Sequence, residues 1–251
     1  ALGLRDERTR RILGESSSSQ NRRRERERDL EGELLPRSTI VEKYNDLLSV
    51  LKNEKVQNTD IENLLELVAY VDDKQQVQLF DDITIDDDLL NVINQYKTGG
   101  VTKQGRGVLD EYYTEKDLVD EVKRIIGNKF LNHQQINVLE PSVGTGNFLS
   151  AINSNAKVKN IDTFEINPVS AKIAKILNPN INVNLRSFET EFIDEYGIKK
   201  DVTEKYDLVV GNPPYGKHRG FYLGIGEEPN IKSYEDYFVK RSLDVMKDGG
   251  V

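Results

Sequence analysis

The run Val138-Leu-Glu-Pro-Ser-Val-Gly-Thr-Gly-Asn-Phe148 decides how this 251-residue chain folds. Apolar residues lead up to Glu140, glycines follow at Gly144 and Gly146, and a helical pattern opens near Asn147. A buried strand ending on a carboxylate, a tight glycine turn and the free N–H groups of a helix start together let backbone approach a ligand closely. A structural turn between strand and helix has the same local pattern. The stretch therefore needs its surroundings to be interpreted.

Working outward, the chain from Leu109 alternates helices with short apolar runs. The spacing predicts helices over about 115–127, 147–153 and 168–177, and one from Tyr234 to Met246. Apolar runs fall at Ile136 to Leu139, Ile161 to Phe164, Ile181 to Leu185 and Asp207 to Val210. Strands separated by helices imply an α/β fold with a parallel sheet covered on both faces. In such a sheet Glu140 faces the ligand crevice at the strand ends.

Two further elements give that crevice a chemistry. Glu165 ends the next apolar run (Ile161-Asp-Thr-Phe-Glu165), where a carboxylate accepts both hydroxyls of a ribose. The glycine turn is shorter than the G-x-G-x-x-G type, which argues for a nucleoside without a pyrophosphate. S-adenosylmethionine fits that description. The second element is Asp207-Leu-Val-Val-Gly-Asn-Pro-Pro-Tyr215, a strand that runs straight into N-P-P-Y. Paired prolines make a stiff extended turn, which aims the Asn212 amide and the Tyr215 ring at one spot.

With these motifs the chain resembles the S-adenosylmethionine-dependent DNA adenine-N6 methyltransferases, whose Rossmann-like sheet carries a (D/N/S)-P-P-(Y/F/W) catalytic motif. The resemblance covers roughly residues 105–251. It implies catalytic roles for Asn212, Pro213, Pro214 and Tyr215. It assigns the cofactor loop to Glu140, Pro141, Gly144, Gly146 and Phe148, and the ribose carboxylate to Glu165. The methionine end of the cofactor would be held by a motif resembling Gly107-Val-Leu-Asp-Glu-Tyr-Tyr-Thr114, with Tyr113 and Thr114 at its centre. Glu115 stands where the family has Pro. Phe188 is assigned beside the cofactor's adenine, although the family's neighbouring acid is here on its other side, at Glu189. In the loop beyond Tyr215, the resemblance to enzymes that flip their target base implies phosphate contacts for Lys217 and Arg219 and a second stacking face for Phe221 or Tyr222. An ordinary surface loop has the same composition.

The first hundred residues read differently. Residues 1–38 form an Arg/Glu/Ser-rich tail, with ten of the fifteen arginines and none of the twenty lysines in residues 1–37. It is either a solvated helix or disordered tail, or a phosphate-binding arm. Residues 39–98 read as a helical lead-in, helical over 39–71, then an acidic turn at Asp81 to Asp88 and a short helix from Leu89 to Tyr96. This part resembles the lead-in of large phage and plasmid proteins that fuse such a methylase to a helicase. Residues 99–251 form the catalytic domain, and about four of the seven strands usual for such a sheet are visible, so the domain is expected to be C-terminally incomplete and inactive alone.

Composition narrows the rest. There is no Cys, and His133 and His218 are isolated, so neither disulfides nor a Cys- or His-based metal centre is expected. No apolar run is long enough for a membrane span, and the expected location is the cytoplasm. The net charge of -8 speaks against nucleic acid when taken alone, yet residues 38–251 hold 25 basic and 35 acidic residues (-10), mostly on the lead-in and outer helices. The expected partners are double-stranded DNA and further domains for target recognition, helicase or nuclease function, in a restriction-modification setting. Two other readings stay open: a protein glutamine-N5 methyltransferase, which also uses N-P-P-Y, and a module that binds the cofactor without turnover.

Overall fold

A computed structural model describes residues 37–97, 116–129, 135–152, 158–194, 197–198, 202–216, 231 and 233–251. Tyr113, Thr114, Lys217, Arg219, Phe221, Tyr222 and the tail 1–36 lie outside the described residues.

The centre is a parallel sheet of β3 (Ile136–Glu140), β4 (Val158–Glu165), β5 (Asn182–Leu185) and β8 (Leu208–Val209), in the order β5-β4-β3-β8, while β6 (Ile193–Asp194) and β7 (Gly197–Ile198) pair with each other outside it. The chain builds one side of β3 first, with α5 (Leu149–Ile152) and α6 (Pro168–Leu177) as crossovers, and then returns to its other side with β8. The order therefore reverses at β3, and the strand ends of β3 and β8 open side by side. A parallel sheet offers its ligand crevice at such a switch point. Beyond β8, Val251 donates to the Asp207 carbonyl and accepts from the Val209 N–H, so pairing continues along the outer edge of that strand.

The helices form where local chemistry starts them. Asn167 caps α6 by accepting from the Val169 and Ser170 N–H groups, and Pro168 takes the first helical position. One sheet face is covered by α4 (Lys116–Lys129), α5 and α6, with Ile126, Leu149, Ile152, Ala171 and Ala174 packed on Val138, Ile161 and Val183. The opposite face carries an aromatic cluster of Phe164, Phe188, Phe192, Tyr206, Tyr237 and Phe238, part of it from α7 (Tyr234–Val245). Asp162 is a polar residue inside β4. Burial opposes its charge, but hydrogen bonds from Asn182, Lys205 and Asn160 outweigh that and hold its carboxyl below the usual range.

The lead-in departs from an all-helical region. Helices α1 (Arg37–Leu51) and α2 (Asn58–Val68) form, but the second ends at Ala69 and turns into a hairpin of β1 (Ala69–Val71) and β2 (Val77–Leu79). The expected helix to residue 71 is therefore corrected. Its apolar stripe ends at Val68, and Asp72 accepts from the Lys74 and Gln76 N–H groups, which folds the chain back. Helix α3 (Asp87–Ile93) also starts earlier than expected, because Asp86 caps it by accepting from the Leu89 N–H.

The hairpin tip meets the outer edge of β5, where the Leu185 N–H donates to the Gln75 carbonyl at 2.7 Å and Gln76 bridges Asn184. It thereby covers an edge that would otherwise offer unpaired backbone. The lead-in core of Leu48, Ile61, Leu64, Leu65, Val68 and Leu89 runs without a break into Ile173 and Ile176 of α6. The buried Lys172 ammonium pairs with Glu66 at 2.8 Å across the same boundary. Among the described residues, no helix is long and apolar enough to cross a membrane.

Candidate active site

Glu140 ends β3 at the switch point, with 1% of its surface exposed. Its Oε1 accepts from the Ser142 N–H at 3.3 Å, while Oε2 is buried with no hydrogen-bond partner among the described residues. Burial pushes this carboxyl well above the usual glutamate range, the Ser142 N–H pulls it part of the way back, and the Glu165 carboxylate raises it again. Because the folded chain holds this proton more tightly than the unfolded chain, stability must fall as pH rises from the ordinary value of 4.5 through the raised one. Glu140→Gln removes the ionisation, so its unfolding midpoint should decline less than the wild type's across that window. Parallel declines in a thermal-melt series from acid to mildly alkaline pH would count against the assignment.

The glycine turn follows. Gly144 and Gly146 adopt φ of 54° and 96°, a left-handed backbone that side chains disfavour. The turn is tied to β4 twice: the Val143 N–H donates to the Phe164 carbonyl, and the Gly144 N–H to Glu165 Oε2 at 2.9 Å. Glu165 Oε1 accepts from the Ile166 and Asn167 N–H groups, both at 2.8 Å. Three backbone donors thus converge on this carboxylate, and it braces the loop as well as facing the crevice end of the sheet. The helix after the turn begins at Leu149 rather than Asn147, since the Leu149 N–H closes a turn onto the Gly146 carbonyl.

The Asn212 turn lies alongside. The Val210 N–H donates to the Leu139 carbonyl, which carries β8 pairing to the edge of the turn. At the far end Gly216 donates to both Glu235 carboxylate oxygens at 3.3 Å and accepts from the Tyr234 N–H at 2.9 Å, fastening the turn to the start of α7. Asn212, Pro213 and Pro214 are partly buried, and Tyr215 is 41% exposed. The Tyr215 hydroxyl donates to Asn212 Oδ1 at 2.6 Å.

Two contacts join the turns. The Ser142 hydroxyl donates to the Asn212 main-chain carbonyl at 3.0 Å. Gly211 lies so close to Glu140 that a Cβ there would overlap its Oε1. Neither Ser142 nor Gly211 stood out in the sequence. Their only signal is position: Ser142 directly follows Glu140-Pro141, and Gly211 directly precedes Asn212.

One expected cofactor contact is corrected. Phe188 is 1% exposed, with ring centroids of Phe164, Phe192 and Phe238 at 5.3, 5.2 and 5.6 Å, so it is core and has no surface for a ligand ring. Phe148 packs with Val119, Val122 and Val210, where it fixes α4 against the glycine turn. Pro141, directly after Glu140 in sequence, is buried. Among the described residues no group of three or more His, Asp or Glu side chains is placed to hold a metal ion.

The chain matches the family described as Eco57I restriction-modification methylase over residues 41–251. Defense against restriction protein B of Escherichia phage P1 is 32% identical over 177 residues, which is 68% of this chain and 7% of that protein. Type II methyltransferase M.CvrRI of Paramecium bursaria Chlorella virus XZ-6E is 33% identical over 115 residues, 46% of this chain and 27% of that protein. A Methanocaldococcus jannaschii protein named as a protein N5-glutamine methyltransferase is 34% identical over 112 residues, 45% of this chain and 48% of that protein. The chain thus spans less than half the length of each of these curated relatives.

Proposed function

The chain belongs to the Eco57I restriction-modification methylase family, and from that premise we propose that it methylates the N6 amine of adenine in DNA. S-adenosylmethionine is the cofactor. The observation that carries the reading is the meeting of an acidic, glycine-turned strand end with an Asn-Pro-Pro-Tyr turn at the sheet's switch point.

The residues at that point fit the cofactor. Glu140 brings a buried carboxyl oxygen without a hydrogen-bond partner among the described residues, which a cationic ammonium would satisfy and favour in its ionised form, and Glu165 brings a carboxylate at the next strand end, suited to ribose hydroxyls. Gly144 and Gly146 keep the intervening backbone bare of side chains. When bound, the cofactor supplies an electrophilic methyl group. Tyr113 and Thr114 are assigned to its methionine end by motif.

The chain's own part is to make a weak nucleophile reactive. The adenine amine delocalises its lone pair into the ring. Asn212 Oδ1 and the Pro213 carbonyl accept its two hydrogens, which favours a pyramidal nitrogen with its lone pair directed at the methyl. This is alignment and electrostatic preorganisation, with no covalent bond to the protein. The base must leave the duplex to reach the turn, and Tyr215 stacks on it, a contact worth roughly 1–3 kcal/mol. In the resting chain the Tyr215 hydroxyl already donates to Asn212 Oδ1, so the incoming amine takes over a hydrogen bond that exists. Lys217 and Arg219 are assigned to phosphates, and Phe221 or Tyr222 to the second face of the base.

Glu165→Ala should weaken cofactor binding by about 1–3 kcal/mol, roughly 5- to 150-fold. The loss combines the ribose contact with the brace on Gly144. Unchanged affinity by calorimetry would count against both roles.

The similarity to a protein named for glutamine methylation keeps a second substrate in view. Labelled cofactor offered with DNA and with protein separates the two. The expected product is N6-methyladenine, and label in protein with none in DNA overturns the DNA reading.

A further inference from the structure

The glycine turn and the Asn212 turn are 70 residues apart in sequence, and one side chain spans them. Ser142 donates its main-chain N–H to Glu140 and its hydroxyl to the Asn212 carbonyl. That carbonyl belongs to the Asn212–Pro213 peptide, which is a rigid plane. Fixing its oxygen therefore fixes the Asn212 Cα, from which the amide side chain springs, and the Pro213 nitrogen. Proline's locked φ, together with the extended ψ that Pro214 imposes on the residue before it, leaves the Pro213 carbonyl little freedom after that.

The hydroxyl is not needed to hold either loop in the fold. The glycine turn has its own ties to Phe164 and Glu165, and the Asn212 turn is anchored through Val210 and Gly216. What the Ser142 bond adds is the relative placement of the two turns.

We propose that Ser142 is a positioning residue for methyl transfer: through its hydroxyl it sets the acceptor oxygens of Asn212 and Pro213 against the cofactor side of the site. The inference rests on the reading of those two oxygens as the acceptors of the target amine. It concerns turnover and leaves cofactor affinity to Glu140 and Glu165.

The test compares Ser142→Ala and Ser142→Thr in the full reading frame. Misplacement on the ångström scale costs up to about 100-fold, so Ser142→Ala should lower kcat roughly 10- to 100-fold. Its cofactor dissociation constant and its unfolding midpoint should stay at wild-type values. Ser142→Thr keeps the hydroxyl and should recover most of kcat. A second readout needs neither cofactor nor turnover. In the 15N-asparagine-labelled protein, the Asn212 signals should move in Ser142→Ala and hold in Ser142→Thr, with those of Asn167, Asn182 and Asn184 unmoved.

Wild-type kcat in Ser142→Ala, cofactor affinity falling in step with kcat, or unmoved Asn212 signals would each overturn the proposal. So would an unfolded Ser142→Ala chain, since the hydroxyl would then be structural. If the wild type methylates protein in place of DNA, the substrate reading fails, and the same kcat comparison on that protein decides Ser142.

Discussion

Asn212→Ala is expected to abolish methyl transfer while cofactor binding survives. Replacing the side chain removes one of the two proposed acceptors of the amine, together with the partner of the Tyr215 hydroxyl, and leaves the main-chain ties of the turn in place. That turn is held by main-chain bonds at Val210, Asn212 and Gly216, none of which uses the Asn212 amide. Losing one preorganised hydrogen-bonding group at a reacting centre costs roughly 100- to 1,000-fold in kcat. Here the cost should sit at the upper end, since the amine has little nucleophilicity without both acceptors. The measurement pairs labelled methyl transfer with calorimetry of cofactor binding. Near-normal turnover would remove Asn212 from the mechanism, and loss of binding together with turnover would place it in the cofactor site.

Deleting residues 37–97 should have an effect of comparable size, on folding. Ile173 and Ile176 of α6 are 3% and 1% exposed, and both belong to the core that α1, α2 and α3 complete. Exposing a buried side chain of this size costs about 1.5–3 kcal/mol, so those two alone cost up to about 3–6 kcal/mol. A domain is typically stable by only about 5–15 kcal/mol. The deletion also bares the edge of β5 where Leu185 bonds to Gln75, and it removes Glu66 from the buried Lys172. The truncated chain should therefore lose cooperative unfolding or aggregate through that edge. A truncated chain that melts cooperatively at the midpoint of the longer one would show that the lead-in is independent of the sheet.

The elements that the sequence shows best are those whose signals lie within one element and its ends. Helix α6 begins and ends where the pattern places it, because Asn167 and Pro168 start it and its apolar stripe runs unbroken to Leu177. The strand from Ile136 and the glycine turn after Glu140 are legible for the same reason. The hairpin at Ala69–Leu79 is not. Val68 and Ala69 continue a helical stripe, and the tip is tied by a bond to Leu185, more than a hundred residues away. Phe188 misled through its neighbours, since an acid beside a phenylalanine looks the same whether the ring meets a ligand or three other rings.

The sequence by itself determined the chemistry available: a carboxylate at a strand end, two glycines free to take a left-handed backbone, and a stiff Asn-Pro-Pro-Tyr turn. Each follows from residue type and from bonds that reach no further than a few positions. Only the tertiary structure decided that these parts meet, that Glu140 lies against Gly211, and that Ser142 reaches Asn212. Those contacts exist because β8 returns to pair with β3 after β4 and β5 have been laid on its other side. Strand order arises from burial and backbone pairing between distant segments, and no local periodicity records which strand becomes whose neighbour.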